Sequence, residues 1–125
     1  MANPHKGEFE FEVDGKTYIM RFGTNELCDL EDKIGKSAIA AMMETQDMTT
    51  IHISTIRALM WAGLHGKHPE IDLRAAGNLI ASVGGLVKAL EIITQAFSRS
   101  FPDPGGEARP LAGAAQTTNG AGTNS

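Results

Sequence analysis

Histidine and cysteine are the residues of this chain whose types and spacing could carry chemistry. The sequence holds four histidines and one cysteine. His65 and His68 form a His-x-x-His pair that could ligate zinc, but a stable zinc site needs further ligands, and a glycine lies inside this pair. At a predicted helix end, basic residues interact favourably with the negative pole of the helix. We therefore predict no metal site and no cofactor.

A lone cysteine and a short glycine-containing segment are the other features that could belong to a catalytic site. Cys28 lies beside Leu27 on a predicted helix face, and apart from Lys33 it has no basic neighbour in the sequence, so we predict a small core residue. Gly35-Lys36-Ser37 resembles the end of a P-loop, but it lacks the earlier glycine and follows a helix where a strand is required. The sequence therefore predicts no catalytic residue, and an enzyme is the least favoured class.

An acidic strip alternates along the first predicted strand. Glu8, Glu10 and Glu12 fall on one strand face, and Asp14 follows directly. The strip could bind a cation or dock a partner. The commoner explanation is a solvated face that protects a sheet edge from aggregation, and that is our prediction.

Composition divides the chain into two parts. Residues 1–101 carry nearly all the large apolar side chains and are predicted to form one domain, whereas Leu111 is the only one in residues 102–125. A segment with so little to bury cannot offset its ordering entropy, so we predict a disordered tail.

Truncation after Phe101 should therefore leave the melting temperature nearly unchanged in a thermal scan. A drop of about ten degrees or more would show that the tail packs.

Charge and hydropathy exclude several function classes. The net charge of −4 argues against a protein that binds nucleic acid through the phosphate backbone. No apolar run approaches the length of a membrane span, and the N-terminus lacks the pattern of a signal peptide. One cysteine is compatible with a reducing compartment. We therefore expect a soluble intracellular protein that binds neither nucleic acid nor membrane.

The positioning elements begin with a β-hairpin. Asp14-Gly15 is a favoured two-residue type I′ loop between alternating runs. This loop predicts that Phe11 opposes Tyr18 and that Phe9 opposes Met20, with the aromatic face beneath later helices. We predict Phe11 to be a core residue.

Five mostly short helices are predicted after the hairpin, which makes the fold class α+β. The third is apolar nearly all round, as in a central buried helix. Predicted N-caps are Thr24 or Asn25 for the first helix, Ser54 for the third and Asp72 for the fourth. The predicted helices span residues 24–33, 37–45, 54–65, 73–83 and 86–100.

The order of these pieces resembles a known family. The most specific part is the run Arg57-Ala58-Leu59-Met60-Trp61-Ala62-Gly63-Leu64, followed by His68-Pro69-Glu70-Ile71 and by Ala81-Ser82-Val83-Gly84-Gly85. Together with the Gly7-Glu8-Phe9 start and the Asp14-Gly15-Lys16 turn, these motifs resemble the small tail-assembly proteins of long-tailed phages and of gene transfer agents. The resemblance covers roughly residues 7–100.

The resemblance implies a non-catalytic tail assembly chaperone that binds the tape measure protein and supports tail tube assembly. Members have also been labelled tail tube proteins, so the alternative is a structural tail component retained in the particle. A tube subunit is expected to carry a large β-sandwich, and the sequence offers only one convincing hairpin. The implied partners are the tape measure protein and the tail tube protein, with self-association left open. The implied location is the cytoplasm of the bacterial host.

Three apolar residues exceed what one core-facing stripe needs and are the predicted partner-binding residues. Met42 and Met43 lie in a methionine-rich segment, and methionine adapts to irregular partners. Trp61 lies away from the apolar stripe of its helix and could anchor a partner. Placement of all three in the core is the alternative that the sequence leaves open.

Overall fold

Residues 7–100 are the part of the chain that the computed structural model describes. They form a hairpin and five helices, which confirms the predicted α+β class. The predicted tail over residues 102–125 lies outside the described residues. The elements are β1 (Phe9–Val13), β2 (Lys16–Met20), α1 (Thr24–Ile34), α2 (Ala38–Glu44), α3 (Ile53–His65), α4 (Leu73–Val83) and α5 (Leu86–Ser100).

The hairpin has the predicted turn and register. Asp14 and Gly15 have φ angles of 52° and 81°, as a type I′ loop requires at both central positions. Phe9 pairs with Met20 and Phe11 pairs with Tyr18. The turn chemistry alone was therefore sufficient to set which side chains share a face.

Burial on the aromatic face differs from the prediction at Phe11. Val13 and Met20 are buried, whereas Phe11 is only half-buried and stacks on Tyr18 with ring centroids 5.6 Å apart. The helices thus cover Met20 more completely than the middle of the hairpin. Phe11 belongs to the margin of the core, and the expectation of a full core position was wrong.

The acidic face of the hairpin is solvated only in part. Glu10 and Glu12 are exposed as predicted. Glu8, however, is only 4% exposed, and its carboxylate lies 3.1 Å from the Lys67 ammonium. The Glu8 carbonyl also accepts a 3.0 Å hydrogen bond from the guanidinium of Arg99. Spacing in the sequence could not show that two distant basic residues would converge on this first glutamate.

Helix caps fix the connections between the elements. Ser37 caps α2 by accepting from the Ala40 N–H, and Asp72 caps α4 by accepting from the Ala75 N–H, as Asp72 was predicted to do. The predicted caps of α1 and α3 were wrong, because α1 begins at Thr24 after Gly23 and α3 begins at Ile53 after His52. At α1 the Glu26 carboxylate compensates by accepting from the Gly23 N–H at 2.9 Å.

Helix α3 is the centre of the molecule, as its apolar sequence predicted. Ile56, Leu59, Met60 and Leu64 are fully buried on it. Strand β2 approaches α3 closely at Gly63, whose carbonyl accepts a 2.8 Å hydrogen bond from the Arg21 N–H. A Cβ atom at Gly63 would lie 2.5 Å from Met20 Cγ, so only glycine permits this approach without a shift of the hairpin.

Helix α5 closes the domain against the segment between the hairpin and α1. Phe22 and Phe97 pack with ring centroids 4.3 Å apart. The Ser100 hydroxyl accepts from the Phe22 N–H at 3.1 Å and donates to the Gly7 carbonyl at 3.4 Å. The two ends of the described chain are therefore neighbours.

The length and composition of the helices bear on membrane insertion. Within residues 7–100, no single helix is long and apolar enough to span a bilayer. Helices α4 and α5 reach that length and composition only when they are taken together, and the chain bends by 108° between them.

Candidate functional site: an apolar groove beside α2

Polar contacts with α1 and with the connection that follows α1 hold the two ends of helix α2. The Glu31 carboxylate accepts a 2.8 Å hydrogen bond from the Ala38 N–H, and Lys36 forms an ion pair with Glu44. Ala38 and Ala41 are the buried residues of α2. Because the fully buried side chains of α2 are small, Ile39 and Met43 remain exposed, and Met42 is only partly buried.

The segment after α2 is ordered by its own hydrogen bonds. The Asp47 carboxylate accepts from the Thr49 hydroxyl at 2.6 Å and from the Thr49 N–H at 2.9 Å. These bonds lower the pKa of Asp47 below its ordinary value, the side-chain bond most strongly. Asp47 thus favours its charged form and holds the turn that ends the α2 region.

A groove of about 660 Å³ runs between α1 and α2. Met42 and Met43, two of the predicted partner-binding residues, line it together. Apolar side chains dominate its walls, and Thr24, Glu31 and Gln46 are its polar residues. The apolar or weakly polar lining residues are Leu27, Cys28, Ala38, Ile39, Met42 and Met43.

Two residues of this groove are unusually exposed for their size. Ile39 and Met43 are each 70% exposed, and they lie one helical turn apart on α2. Cys28 is exposed as well, so the prediction of a core cysteine was wrong. Cys28 lies on the face of α1 that turns toward α2. Because α2 is short and its buried side chains are alanines, it does not cover Cys28. A contiguous exposed apolar surface of this kind is typical of an interaction site.

A second apolar depression, of about 410 Å³, lies between the segment after α2 and helix α5. Met48 and Val87, both exposed, line it together with Leu90. Two of its polar lining residues are Thr94 and Gln95. The surroundings of α2 therefore contain four of the five large apolar side chains that are exposed in the described residues.

Trp61 is placed apart from the groove. It is half-buried on α3, stacks on His65 with centroids 4.4 Å apart, and carries the Lys33 ammonium 5.1 Å from its ring centroid. Lys33 projects from a different side of α1 than Cys28, which lines the groove. The structure thus brings Met42 and Met43 together and does not bring Trp61 to them.

The His-x-x-His pair is divided between two structural roles. His65 Nε2 lies 2.8 Å from an Asp29 carboxylate oxygen, and its Nδ1 lies 3.0 Å from the Ala62 carbonyl. His68 Nε2 accepts a 3.0 Å hydrogen bond from the Ile19 N–H at the outer edge of β2. Among residues 7–100, no three histidine, cysteine or acidic side chains are arranged to hold a metal ion.

The contact at His68 gives a pH-dependent prediction. Burial lowers the pKa of His68 below its ordinary value of 6.5, Glu70 opposes this shift, and Lys16 adds to it. The unfolded chain therefore binds the proton more readily, so the stability from neutral His68 is complete above about pH 6.5 and is lost as pH falls through the lower folded pKa. His68→Gln keeps an acceptor for the Ile19 N–H and should flatten this dependence in urea titrations at several pH values. An identical pH dependence in the variant would contradict this assignment.

Part of this surface was not predicted from the sequence. The Met42/Met43 segment was a predicted binding segment, whereas Ile39 and the Met48/Val87 depression were not. The four-residue spacing of Ile39 and Met43 was a usable signal, since it places both on one helix face. The second depression joins segments about 40 residues apart, which no local pattern connects.

Comparison with known protein families identifies the family of this chain. A family described as "Phage tail tube protein, GTA-gp10" matches residues 6–103. The chain belongs to this family. No curated protein and no solved structure gives a significant match.

Membership in a tail tube family corrects the expected role. The resemblance to phage and gene transfer agent tail proteins is confirmed, but the expectation of a tail assembly chaperone was wrong, because the family is described as tail tube. Binding of the tape measure protein gains no support from this match. Sequence motifs identified the lineage, but they could not separate the two roles, since both require a small non-catalytic domain with partner surfaces.

The fold of this tail tube family member also differs from what a tube subunit was expected to carry. The described residues contain one two-stranded sheet instead of a large β-sandwich. Contacts between subunits would therefore have to use helices and the hairpin. The exposed apolar surface beside α2 is a candidate for such a contact.

Proposed function

We propose that this chain is a non-catalytic structural subunit of a phage-type tail tube that associates with copies of itself. The observation that carries the proposal is the exposed apolar groove of α2 in a member of a tail tube family. A subunit that stays monomeric gains nothing from leaving Ile39 and Met43 in water. A subunit that polymerises would bury both in its assembled state.

The composition of the surface suits this role. Interfaces that hold structural assemblies have a core of apolar side chains and a polar rim, with methionine enriched. Met42, Met43 and Ile39 would supply the apolar centre, and Glu31 and Gln46 would supply the rim. Trp61, half-buried beneath Lys33, would support α1 from inside the subunit.

A quantitative inventory of purified particles tests the proposal. Cells that produce the particles are lysed, the particles are purified on a density gradient, and the copies of each protein per particle are measured by mass spectrometry with labelled peptides. A tube subunit should be present in many copies and should remain after a high-salt wash. Recovery of the chain only in the bacterial cytoplasm, where assembly would take place, would contradict a structural role.

A further inference from the structure

A basic groove lies at the end of the molecule where α3 and α4 begin. It has a volume of about 420 Å³, and no carboxylate is among its lining residues. Lys36 is neutralised by Glu44 within the subunit. Arg57 and Lys33 form no ion pair with any residue of the described range 7–100, and the Lys33 ammonium lies 5.1 Å from the Trp61 ring centroid. The basic residues of the groove are Lys33, Lys36 and Arg57, with His52 beside them.

The start of α3 adds to the positive potential of this groove. His52 is its N-cap residue and makes no side-chain cap hydrogen bond, and the first turn of α3 carries no acidic residue. The N-terminal N–H groups of a helix carry partial positive charge, which an acidic cap would normally offset. The groove is therefore concave and cationic, and no aspartate or glutamate of the described residues lines it.

The tip of the hairpin has the complementary shape and charge. Asp14 and Gly15 are exposed, and nothing lies within 4 Å of a Cβ atom built on Gly15. Lys16 is turned aside, with its ammonium 3.8 Å from Glu70 and 5.0 Å from the Tyr18 ring centroid. The tip therefore presents the Asp14 carboxylate on a narrow two-residue turn, and the exposed Glu12 of β1 lies next to the turn.

The tip and the groove lie beside opposite ends of α4. Leu73, at the start of α4, lines the basic groove, whereas Val83, at the end of α4, lies beside Val13 and Asp14 of the hairpin. At 1.5 Å per residue, the length of α4 separates them by roughly 15 Å. One subunit cannot bring its own tip into its own groove, but two subunits arranged head to tail can.

We propose that the hairpin tip of one copy inserts into the basic groove of a second copy, with Glu12 and Asp14 meeting Arg57 and Lys33. This inference rests on the proposed function, in which the chain polymerises. The contact is heterologous, because different surfaces of the two copies meet, and repeated contacts of this kind form rings or helical tubes. It gives the assembly a direction, which an apolar surface alone does not specify.

Charge reversal with complementation tests the contact. Sedimentation velocity at low salt should show self-association of the wild-type protein at millimolar concentration, and about 0.5 M NaCl should weaken it. Arg57→Glu and Glu12→Arg should each weaken association on the order of tenfold or more when alone. An equimolar mixture should recover it, because the reversed groove accepts the reversed tip while the other two surfaces remain wild-type.

Matched controls separate the contact from net charge. Arg109→Glu and Glu107→Arg make the same charge changes outside the described residues, and they should associate as the wild type does. Circular dichroism confirms that each variant is folded, and Lys33→Glu replaces Arg57→Glu if the latter unfolds. Any of three results would overturn the proposed contact: wild-type protein that stays monomeric, single reversals that have no effect, or a folded mixture that does not recover association.

Zero-length carbodiimide cross-linking identifies the occupant of the groove. An equal mixture of light and nitrogen-15-labelled protein should give mixed-isotope cross-links between the Lys33 amine and Glu12 or Asp14. Cross-links from Lys33 to Asp103 or Glu107 of the C-terminal segment would instead show that this segment occupies the groove, and they would overturn the proposal. If the particle inventory finds many copies while these tests fail, the tube role stands and this contact does not.

Discussion

Replacing Phe22 with alanine should lower the free energy of unfolding by about 3–5 kcal/mol, as for other buried phenylalanines. Phe22 is 2% exposed and packs on Phe97, and its N–H is bonded to Ser100. The substitution leaves a cavity between Phe97 of α5 and Gly63 of α3, both of which Phe22 approaches closely. Urea denaturation followed by circular dichroism measures the change.

Phe11→Ala is the matched control for this prediction. Phe11 is half-buried at the margin of the core, so the same truncation should cost less, on the order of 1–2 kcal/mol. Equal losses for the two variants would show that the hairpin is covered more uniformly than its burial indicates. A larger loss at Phe11 would contradict the placement of Met20 and Phe22 beneath the helices.

Replacing Met43 with glutamate should abolish tube assembly while leaving the fold intact. Met43 is 70% exposed, so a charge there costs the isolated subunit little. In the proposed contact the same charge would be buried without a partner, and such a penalty is several kcal/mol. Sedimentation velocity and electron microscopy of particles from cells that express only the variant measure the effect.

Two further variants make this result specific. Ile39→Glu places the same charge one turn away in the same groove and should also prevent assembly. Asn78→Glu adds the charge on an exposed position of α4 that does not line the α2 groove, and it should assemble normally. Normal assembly of a folded Met43→Glu protein would remove the α2 groove from the interface. Loss of helical circular dichroism would show that Met43 is needed for folding.

The local features of the fold were predictable from the sequence, because they depend on neighbouring residues. The φ angles above zero at Asp14 and Gly15 follow from the preference of that dipeptide for a type I′ turn. Helix α3 was predicted to be central from its apolar sequence. Asp72 caps α4 because a short side-chain oxygen can reach the N–H of Ala75 within one turn.

The exposed apolar surface beside α2 was predictable only in part, because exposure depends on which elements cover a helix face. Met42 and Met43 line one groove, and their binding of a partner stays a prediction. Cys28 was wrongly assigned to the core, because its exposure depends on how little of α1 the short helix α2 covers. Glu8 was assigned to a solvated face, and only the tertiary structure brings Lys67 and Arg99 to it. Residues about 60 and 90 positions away leave no signal in a local pattern.

By itself, the sequence determined the elements, the hairpin register and membership in a phage tail lineage, since these depend on local conformational preference and on the order of motifs along the chain. Only the tertiary structure decided which apolar residues remain in water. The exposure of Ile39 and Met43 arises because α2 buries only its alanines against the rest of the domain. The opposition of an acidic tip and a basic groove likewise depends on α4 spanning the distance between them, a relation in space that no spacing along the chain records.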